Sequence, residues 1–303
     1  MSDRQTLSFL SRTLQRAGLQ PKTKYGQNFL IDLNLLNLLV DGAELSTSDV
    51  VLEIGTGMGS LTKALATRAG AVLTVEVDRD LQAIAARELA SLPNVRLLCC
   101  DALRNKNHLR AELLDNIREA MSRIPGSKFK LVANLPYNVA TPIISNLLNE
   151  TPLVERMVVT IQKELGERII APPSCKDYSA LSIWMQAQCD CEILRILPPS
   201  VFWPRPNVDS AIIRVIPNAV KRARIVDLEF FHTRLRAMFL HRRKFLRSQV
   251  ISAMQELLTK EQVDAVLAQE NLEPNLRAEQ LTVERMIALL EACRTSIPPS
   301  APS

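Results

Sequence analysis

The residues best suited to chemistry are Asn134-Leu-Pro-Tyr137. An aromatic amine such as the N6 group of adenine is a poor nucleophile, because its lone pair is delocalised into the ring. Accepting its N–H groups favours a more pyramidal, more reactive nitrogen. The Asn134 side-chain oxygen and a backbone carbonyl, at Leu135 or Pro136, can do this. Pro136 stiffens the turn. Tyr137 can stack on a flat base, and Phe202 could supply a second stacking face. Catalysis of this kind is mostly positioning. The same four residues are also an ordinary strand-end turn, so their meaning depends on what stands beside them.

What stands beside them is a nucleoside-binding pattern. Glu53-Ile-Gly-Thr-Gly-Met-Gly59 follows a buried apolar run. Gly55 and Gly57 allow a tight turn and let a ligand approach the backbone. A structural turn or a NAD site would explain the glycines as well. Glu76 ends the next strand, where an acid meets ribose hydroxyls in nucleotide-binding α/β folds. Asp101 follows the third strand, where a carboxylate can accept from an adenine amino group. Either acid, taken singly, could be a helix cap. No Lys-Ser/Thr follows the glycines, so this is not a phosphate-binding P-loop. S-adenosylmethionine (SAM), with ribose and adenine but no phosphate, suits the set.

These residues need a scaffold that brings strand ends to one edge. The pattern predicts strands at 49–54, 71–77, 95–100, 129–133 and 156–161, alternating with helices at 61–68, 79–89 and after Tyr137, with Pro142 in the first turn of the last. Asp32 is placed to cap a helix with an apolar face of Leu35, Leu36, Leu39 and Val40. Strands at 189–197 and 210–216, joined by a short proline-rich link, should be antiparallel. The charged stretch 103–128 reads as a long connection, partly helical, outside the core. After Pro217 only helices are expected, at 230–250, 261–268 and 283–292.

The expected fold class is therefore α/β: a Rossmann-like SAM-dependent methyltransferase domain with a smaller C-terminal all-α domain. The expected organisation is an N-terminal extension (1–20), a catalytic domain (21–217), a helical RNA-contacting domain (218–295) and a disordered tail (296–303).

At 303 residues and 47% hydrophobic, the chain can bury such a core. No apolar run is long enough to span a bilayer, and the first residues lack the apolar core of a signal peptide. The six cysteines form no Cys-x-x-Cys pair and the three histidines lack zinc spacing, so no metal site is expected. A cytoplasmic protein with reduced thiols follows.

The motifs in this order resemble those of the ribosomal RNA adenine N6-dimethyltransferases, bacterial small-subunit type. Gln27-Asn-Phe-Leu30, Glu53-Ile-Gly-Thr-Gly-Met-Gly-Ser-Leu-Thr62, Glu76-Val-Asp78, Asp101-Ala102 and Asn134-Leu-Pro-Tyr137 carry the likeness. Gln162-Lys-Glu164, Tyr178-Ser-Ala-Leu-Ser182 and the 198–210 segment continue it. The resemblance implies SAM contacts from Asn28, Leu30, Gly55, Glu76, Asp101 and Asn134. It implies that Asn134, Pro136, Tyr137 and Phe202 handle the target adenine. The implied substrates are two adjacent adenosines in the 3′-terminal hairpin loop of small-subunit rRNA, within the small ribosomal subunit, each gaining two methyls. Thr56 stands where many members have proline. The 103–128 connection is longer than usual. In His241-Arg-Arg-Lys-Phe-Leu-Arg247 the family's Asn-x-Arg-Arg-Lys-Thr-Leu-Arg pattern has changed at its edges.

Residues 221–247 hold nine Lys/Arg against Asp227 and Glu229, a net +7 where the whole chain carries +5. Arg236, Arg243, Lys244 and Arg247 fall on one face of the helix read over 230–250, and are expected to hold rRNA phosphates. A solvated helix face would carry the same charge. Two rivals share the chemistry: a resistance-type enzyme acting on large-subunit rRNA, and a DNA adenine methyltransferase, which usually has proline in place of Leu135. A third reading is an assembly checkpoint that acts mainly by binding immature subunits. A monomer that acts on RNA, with no membrane or DNA partner, is the expectation.

Overall fold

The computed structural model describes residues 7–298. Its central sheet has seven strands: β1 (Asp49–Ile54), β2 (Ala71–Val75), β3 (Val95–Leu98), β4 (Lys128–Asn134), β5 (Arg156–Gln162), β6 (Cys189–Leu197) and β7 (Ser210–Pro217), in the order β3-β2-β1-β4-β5-β7-β6. β1 runs parallel to β2 and β4, β2 to β3, and β4 to β5. β7 runs antiparallel to β5. Every residue of β1 is buried. That accounts for its near-continuous apolar run, since a central parallel strand is covered on both faces. The strand order reverses between β1 and β4, and in such sheets ligands bind at the carboxyl ends beside the reversal.

The first helices are α1 (Leu7–Arg16), α2 (Leu33–Gly42), α3 (Ser60–Ala66), α4 (Arg79–Leu89), α5 (Ala111–Arg123) and α6 (Tyr137–Leu147). Asp32 caps α2, its side chain accepting from the N–H groups of Asn34 and Leu35 at 2.8 and 3.3 Å. Leu36, Leu39 and Val40 of α2 then pack with Val51, Val132 and Val158 of the sheet and with Leu61 and Leu65 of α3. Leu10 and Leu14 of α1 bury against Phe29, Met58 and Leu81. In α6, Pro142 sits in the helix interior rather than the first turn, because the helix starts at Tyr137 directly after its Pro136 cap.

The stretch 103–128 is not the loose connection expected. It opens with a short antiparallel ladder between Leu103–Asn105 and His108–Leu109, then forms α5. Leu113, Leu114 and Ile117 of α5 are buried, and the helix packs on β1, β2 and β4. The surrounding charges masked this apolar stripe: Glu112, Asp115, Arg118 and Glu119 occupy the solvent side of the same helix.

The chain divides into two compact units. The first holds the chain up to Gly166 together with Glu192–Ile216, and the second holds Glu167–Cys191 with the chain from Pro217 onward. Residues 167–191, read in sequence as part of the catalytic domain, thus cluster with the C-terminal helices. The remaining helices are α7 (Lys163–Ile170), α8 (Ala180–Gln186), α9 (Ala219–Arg222), α10 (Leu228–Phe239), α11 (Leu246–Ala253), α12 (Lys260–Gln269) and α13 (Val283–Thr295). Among the described residues after Pro217 there is no strand. Trp184 of α8 anchors this unit's core, 6.3 Å from the Phe231 ring and 4.3 Å from that of His232. Residues 1–6 of the N-terminal extension and 299–303 of the tail lie outside the described residues.

The single helix expected over 230–250 is two helices, α10 and α11. No glycine or proline breaks it; tertiary hydrogen bonds do. The Arg242 guanidinium donates to the carbonyls of Lys176 and Cys175, at 2.7 and 3.2 Å, and pairs with Glu279. The Leu246 N–H donates to the Leu276 carbonyl at 2.6 Å instead of to the turn before it.

If α5 is a core element, Leu113→Ala leaves a cavity and lowers unfolding stability by about 2–5 kcal/mol. Urea unfolding monitored by circular dichroism measures this, and a change under about 0.5 kcal/mol would return 103–128 to the surface.

Candidate active site

The carboxyl ends of β1, β2, β3 and β4 share one edge, and a cavity of about 310 Å³ opens there. Its wall includes Asn28, Gly55, Gly57, Glu76, Asp101, Asn134, Pro136 and Tyr137. The fold thus brings together eight of the residues singled out in the sequence for cofactor or target. Leu30 is buried beside them and lines a smaller hollow with Glu53, Gly55 and Asn134. Phe202 lines neither. It is 3% exposed, packed in the apolar cluster with Leu30, Leu36 and Leu39, and paired with Leu30 across a two-residue antiparallel bridge. A stacking face requires exposure, which Phe202 lacks here.

Gly55 and Gly57 adopt φ of 87° and 57°, where a side chain is strained. A Cβ on Gly57 would stand 3.1 Å from the Phe29 ring, and one on Gly55 3.6 Å from Pro136. The loop is therefore bare backbone against the cavity. Glu76 is 5% exposed. Its two oxygens accept from the Gly57 and Asp78 N–H groups, each at 2.9 Å, so it orders the glycine loop and is not a helix cap. Burial raises its pKa, opposed by those backbone bonds. Asp101 is exposed at the far side and accepts from Leu103 N–H at 2.9 Å through one oxygen, a tight turn rather than a helix cap.

Asn134 sits at the end of β4. Its Nδ2 donates to the Asn28 carbonyl at 2.8 Å. A carbonyl can only accept, so this bond fixes which way round the amide lies and leaves Oδ1 as the free acceptor. The Pro136 carbonyl already accepts from Val139 N–H at 3.1 Å. Of the two backbone acceptors considered, Leu135 is therefore the better placed to serve. The Tyr137 hydroxyl hydrogen-bonds to Ser210 Oγ at 2.6 Å, which holds the ring in place. Burial raises the Tyr137 pKa, so the phenol is neutral.

The segment carrying Asn28 is fastened on both sides. Lys22 Nζ pairs with Asp78 and Asp80, at 2.8 and 2.6 Å, and Gln27 Nε2 donates to Asp78 at 2.9 Å. Burial opposes ionisation of Asp78, but Lys22 and Gln27 outweigh it and hold its carboxyl below the usual range. On the other side Phe29 pairs with Trp203, rings 6.3 Å apart. Sequence reasoning quoted Gln27, Asp78 and Ser210 within motifs but gave them no role, and it did not single out Lys22. Nothing in local spacing links Lys22 to Asp78 or Tyr137 to Ser210.

Beneath the glycine loop lies a buried acid. Glu53 is 1% exposed. One oxygen accepts from Thr62 and Thr74 hydroxyls at 2.5 and 2.6 Å, and the other has no partner. Burial pushes its pKa up to about 8. Thr56 extends this network through a 2.6 Å bond between its hydroxyl and that of Thr74.

The four cations expected on one helix face do not share one. Arg236 lies on α10, Arg243 and Lys244 in the turn at 240–245, and Arg247 on α11. Arg247 is committed to Asp264 through two bonds of 2.6 and 2.9 Å.

The family profile "Ribosomal RNA adenine dimethylase" matches residues 18–294. The chain is 39% identical over 280 residues to the ribosomal RNA small subunit methyltransferase A of Geobacillus sp. (strain WCH70), covering 92% of this chain and 94% of that one. It is 40% identical over 280 residues to the protein of the same name from Ligilactobacillus salivarius (strain UCC118), covering 92% of each. In structure it is similar to a dimethyladenosine transferase from Plasmodium falciparum, with TM-score 0.73 and 23% identity, covering 88% of this chain and 97% of that one; this likeness speaks for the fold.

Glu53 carries a pH prediction. With its folded pKa near 8 and an ordinary value unfolded, native protein holds a proton there that unfolded protein releases. Stability should therefore fall as pH rises from about 5 to about 8. Glu53→Gln can still accept from both threonines and removes the titration. Its stability relative to the unmodified protein should climb across that window in urea melts. A gap independent of pH would mean Glu53 is ionised in the fold.

Proposed function

The chain belongs to the ribosomal RNA adenine dimethylase family, and from that membership we propose that it dimethylates N6 of two adjacent adenosines in the 3′-terminal hairpin loop of small-subunit rRNA. SAM is the methyl donor. Relatives at 39–40% identity over nine-tenths of the chain are named for the small subunit, which supports that substrate. The protein acts as a cytoplasmic monomer on the small ribosomal subunit and takes part in its biogenesis. The observation that carries the chemistry is the oriented amide of Asn134 at the mouth of the cavity.

The cavity suits SAM. A buried carboxylate stands where ribose hydroxyls would donate, an exposed one where an adenine amino group would, and the backbone between them is bare glycine. Asn28, Leu30, Gly55, Gly57, Glu76, Asp101 and Asn134 would hold it. Bound there, SAM supplies a methyl group on a sulfonium. The rest falls to the chain's own residues. In the first transfer Asn134 Oδ1 and the Leu135 carbonyl accept the two N6–H bonds of the target, and in the second one of them accepts the N–H that remains, each time turning the lone pair toward the methyl. Pro136 fixes the carbonyl's direction. Tyr137, steadied by Ser210, stacks on the base, which must leave its own stack first; a hairpin loop lowers that cost. The neutral amine gives up its proton only after transfer, so no strong base is needed in the site. Arg236, Arg243, Lys244 and Arg247 contribute cationic charge toward rRNA, with Arg247 the weakest contributor because Asp264 already neutralises it.

Labelled SAM offered with unmethylated small subunits and, in parallel, naked large-subunit rRNA tests this directly. Dimethyladenosine from the small subunit alone, identified by nucleoside mass spectrometry, is the expected result. Product only on large-subunit RNA would move the enzyme to that substrate. Asn134→Ala should cut transfer by on the order of 100-fold, as losing one oriented polar contact to a reacting group commonly does, while subunit binding persists. Loss of both together would assign Asn134 mainly to binding.

A further inference from the structure

The turn between α10 and α11 has the makings of a nucleotide-binding element. At 240–245 every residue except Arg242 is exposed. Arg242 points inward, and its bonds to the Lys176 and Cys175 carbonyls and to Glu279 tie the turn to two other stretches of the same compact unit. A notch of about 370 Å³ forms there, with Lys176, Arg243, Arg277 and Glu279 in its wall. Glu279 is shared between Arg242 and Arg277, the latter 4.0 Å away. Among the described residues no acid pairs with Lys176 or Arg243. Four cations thus face one carboxylate, and the notch is strongly positive.

Next to it the chain exposes two apolar side chains, Leu240 at 77% and Phe245 at 55%. The bond from Leu246 N–H to the Leu276 carbonyl brings the backbone at Phe245 next to that at Arg277. An exposed aromatic ring near a cation-rich notch is the combination that takes unpaired nucleic acid, since every base has a face to stack and every link a phosphate. A protein partner is the weaker fit, because interface cores are depleted of lysine.

Building on the reading of the chain as an rRNA methyltransferase, we propose that Phe245 stacks on an unpaired base of the substrate RNA while Lys176, Arg243 and Arg277 hold the adjoining phosphate. Arg242 is a positioning residue that keeps the turn rigid. The RNA-facing surface then extends over this turn and notch.

Binding is measured with the full chain on whichever unmethylated rRNA substrate the wild-type protein methylates, small subunit or large-subunit RNA, so that a wrong substrate assignment fails separately. Phe245→Ala and Phe245→Leu should each weaken binding about 10-fold, the loss of one stacked base. Phe245→Trp should hold affinity within about twofold, with its fluorescence quenched on binding. None of these should change the slope of affinity against salt, because stacking releases no counterion. Lys176→Ala with Arg277→Ala should flatten that slope by about 0.7 for each lost contact. Phe245 is exposed, so melting midpoints should not move. Unchanged binding of Phe245→Ala would overturn the proposal. So would full affinity in Phe245→Leu, which would point to an apolar protein contact.

Discussion

The hydrogen bond from Asn134 Nδ2 to the Asn28 carbonyl joins positions 106 residues apart and settles the chemistry of the site. Without it the amide at the end of β4 could present a donor or an acceptor. With it, only an acceptor faces the cavity. Its strength depends on how firmly Asn28 is held, and that accounts for structure otherwise hard to explain. Lys22, Gln27 and Asp78 fasten the segment before Asn28. The bridge of Phe29–Leu30 to Phe202–Trp203 fastens the segment after it. Asp78 serves twice, since it also caps α4 at the end of the same loop that holds Glu76.

The buried residues beneath serve the same geometry. Glu76 accepts from two backbone N–H groups and so sets the glycine loop at the distance where Gly55 meets Pro136. Glu53, Thr56, Thr62 and Thr74 form a polar network below the loop. A buried carboxyl in apolar surroundings favours its neutral form. Glu53 therefore costs stability toward higher pH while holding the first turn of α3 to β1 and β2. Positioning on this scale explains how a site with no strong base can still methylate a weak nucleophile.

Much of this was legible in the chain because strand ends are local. Val-Val-Leu before the glycines and the acids at Glu76 and Asp101 mark consecutive parallel strands, and their shared edge follows from topology. The Asn134 motif was readable for the same reason. Three features were not. α5 was hidden because its apolar stripe lies among charges that a composition scan reads as loop. The break between α10 and α11 was hidden because no glycine or proline makes it; Arg242 and Leu246 do, through partners more than 25 residues away. Phe202 was read as a second stacking face, yet its side chain completes the core under Leu30. Long-range pairing decided the last two cases, and no spacing rule reports it.

The most direct test exchanges the anchored amide for a group that accepts but cannot donate. Asn134→Asp keeps the shape and supplies acceptor oxygens, but at neutral pH it has no N–H for the Asn28 carbonyl. Single-turnover methyl transfer to unmethylated small subunits at pH 8 is the measurement. With Asn28 as the anchor, the rate should fall by on the order of 100-fold and recover partly as pH is lowered and the aspartate gains a proton to donate. A rate equal to that of the unmodified protein at pH 8 would mean that any acceptor suffices, and that the bond to Asn28 does not orient the catalytic group.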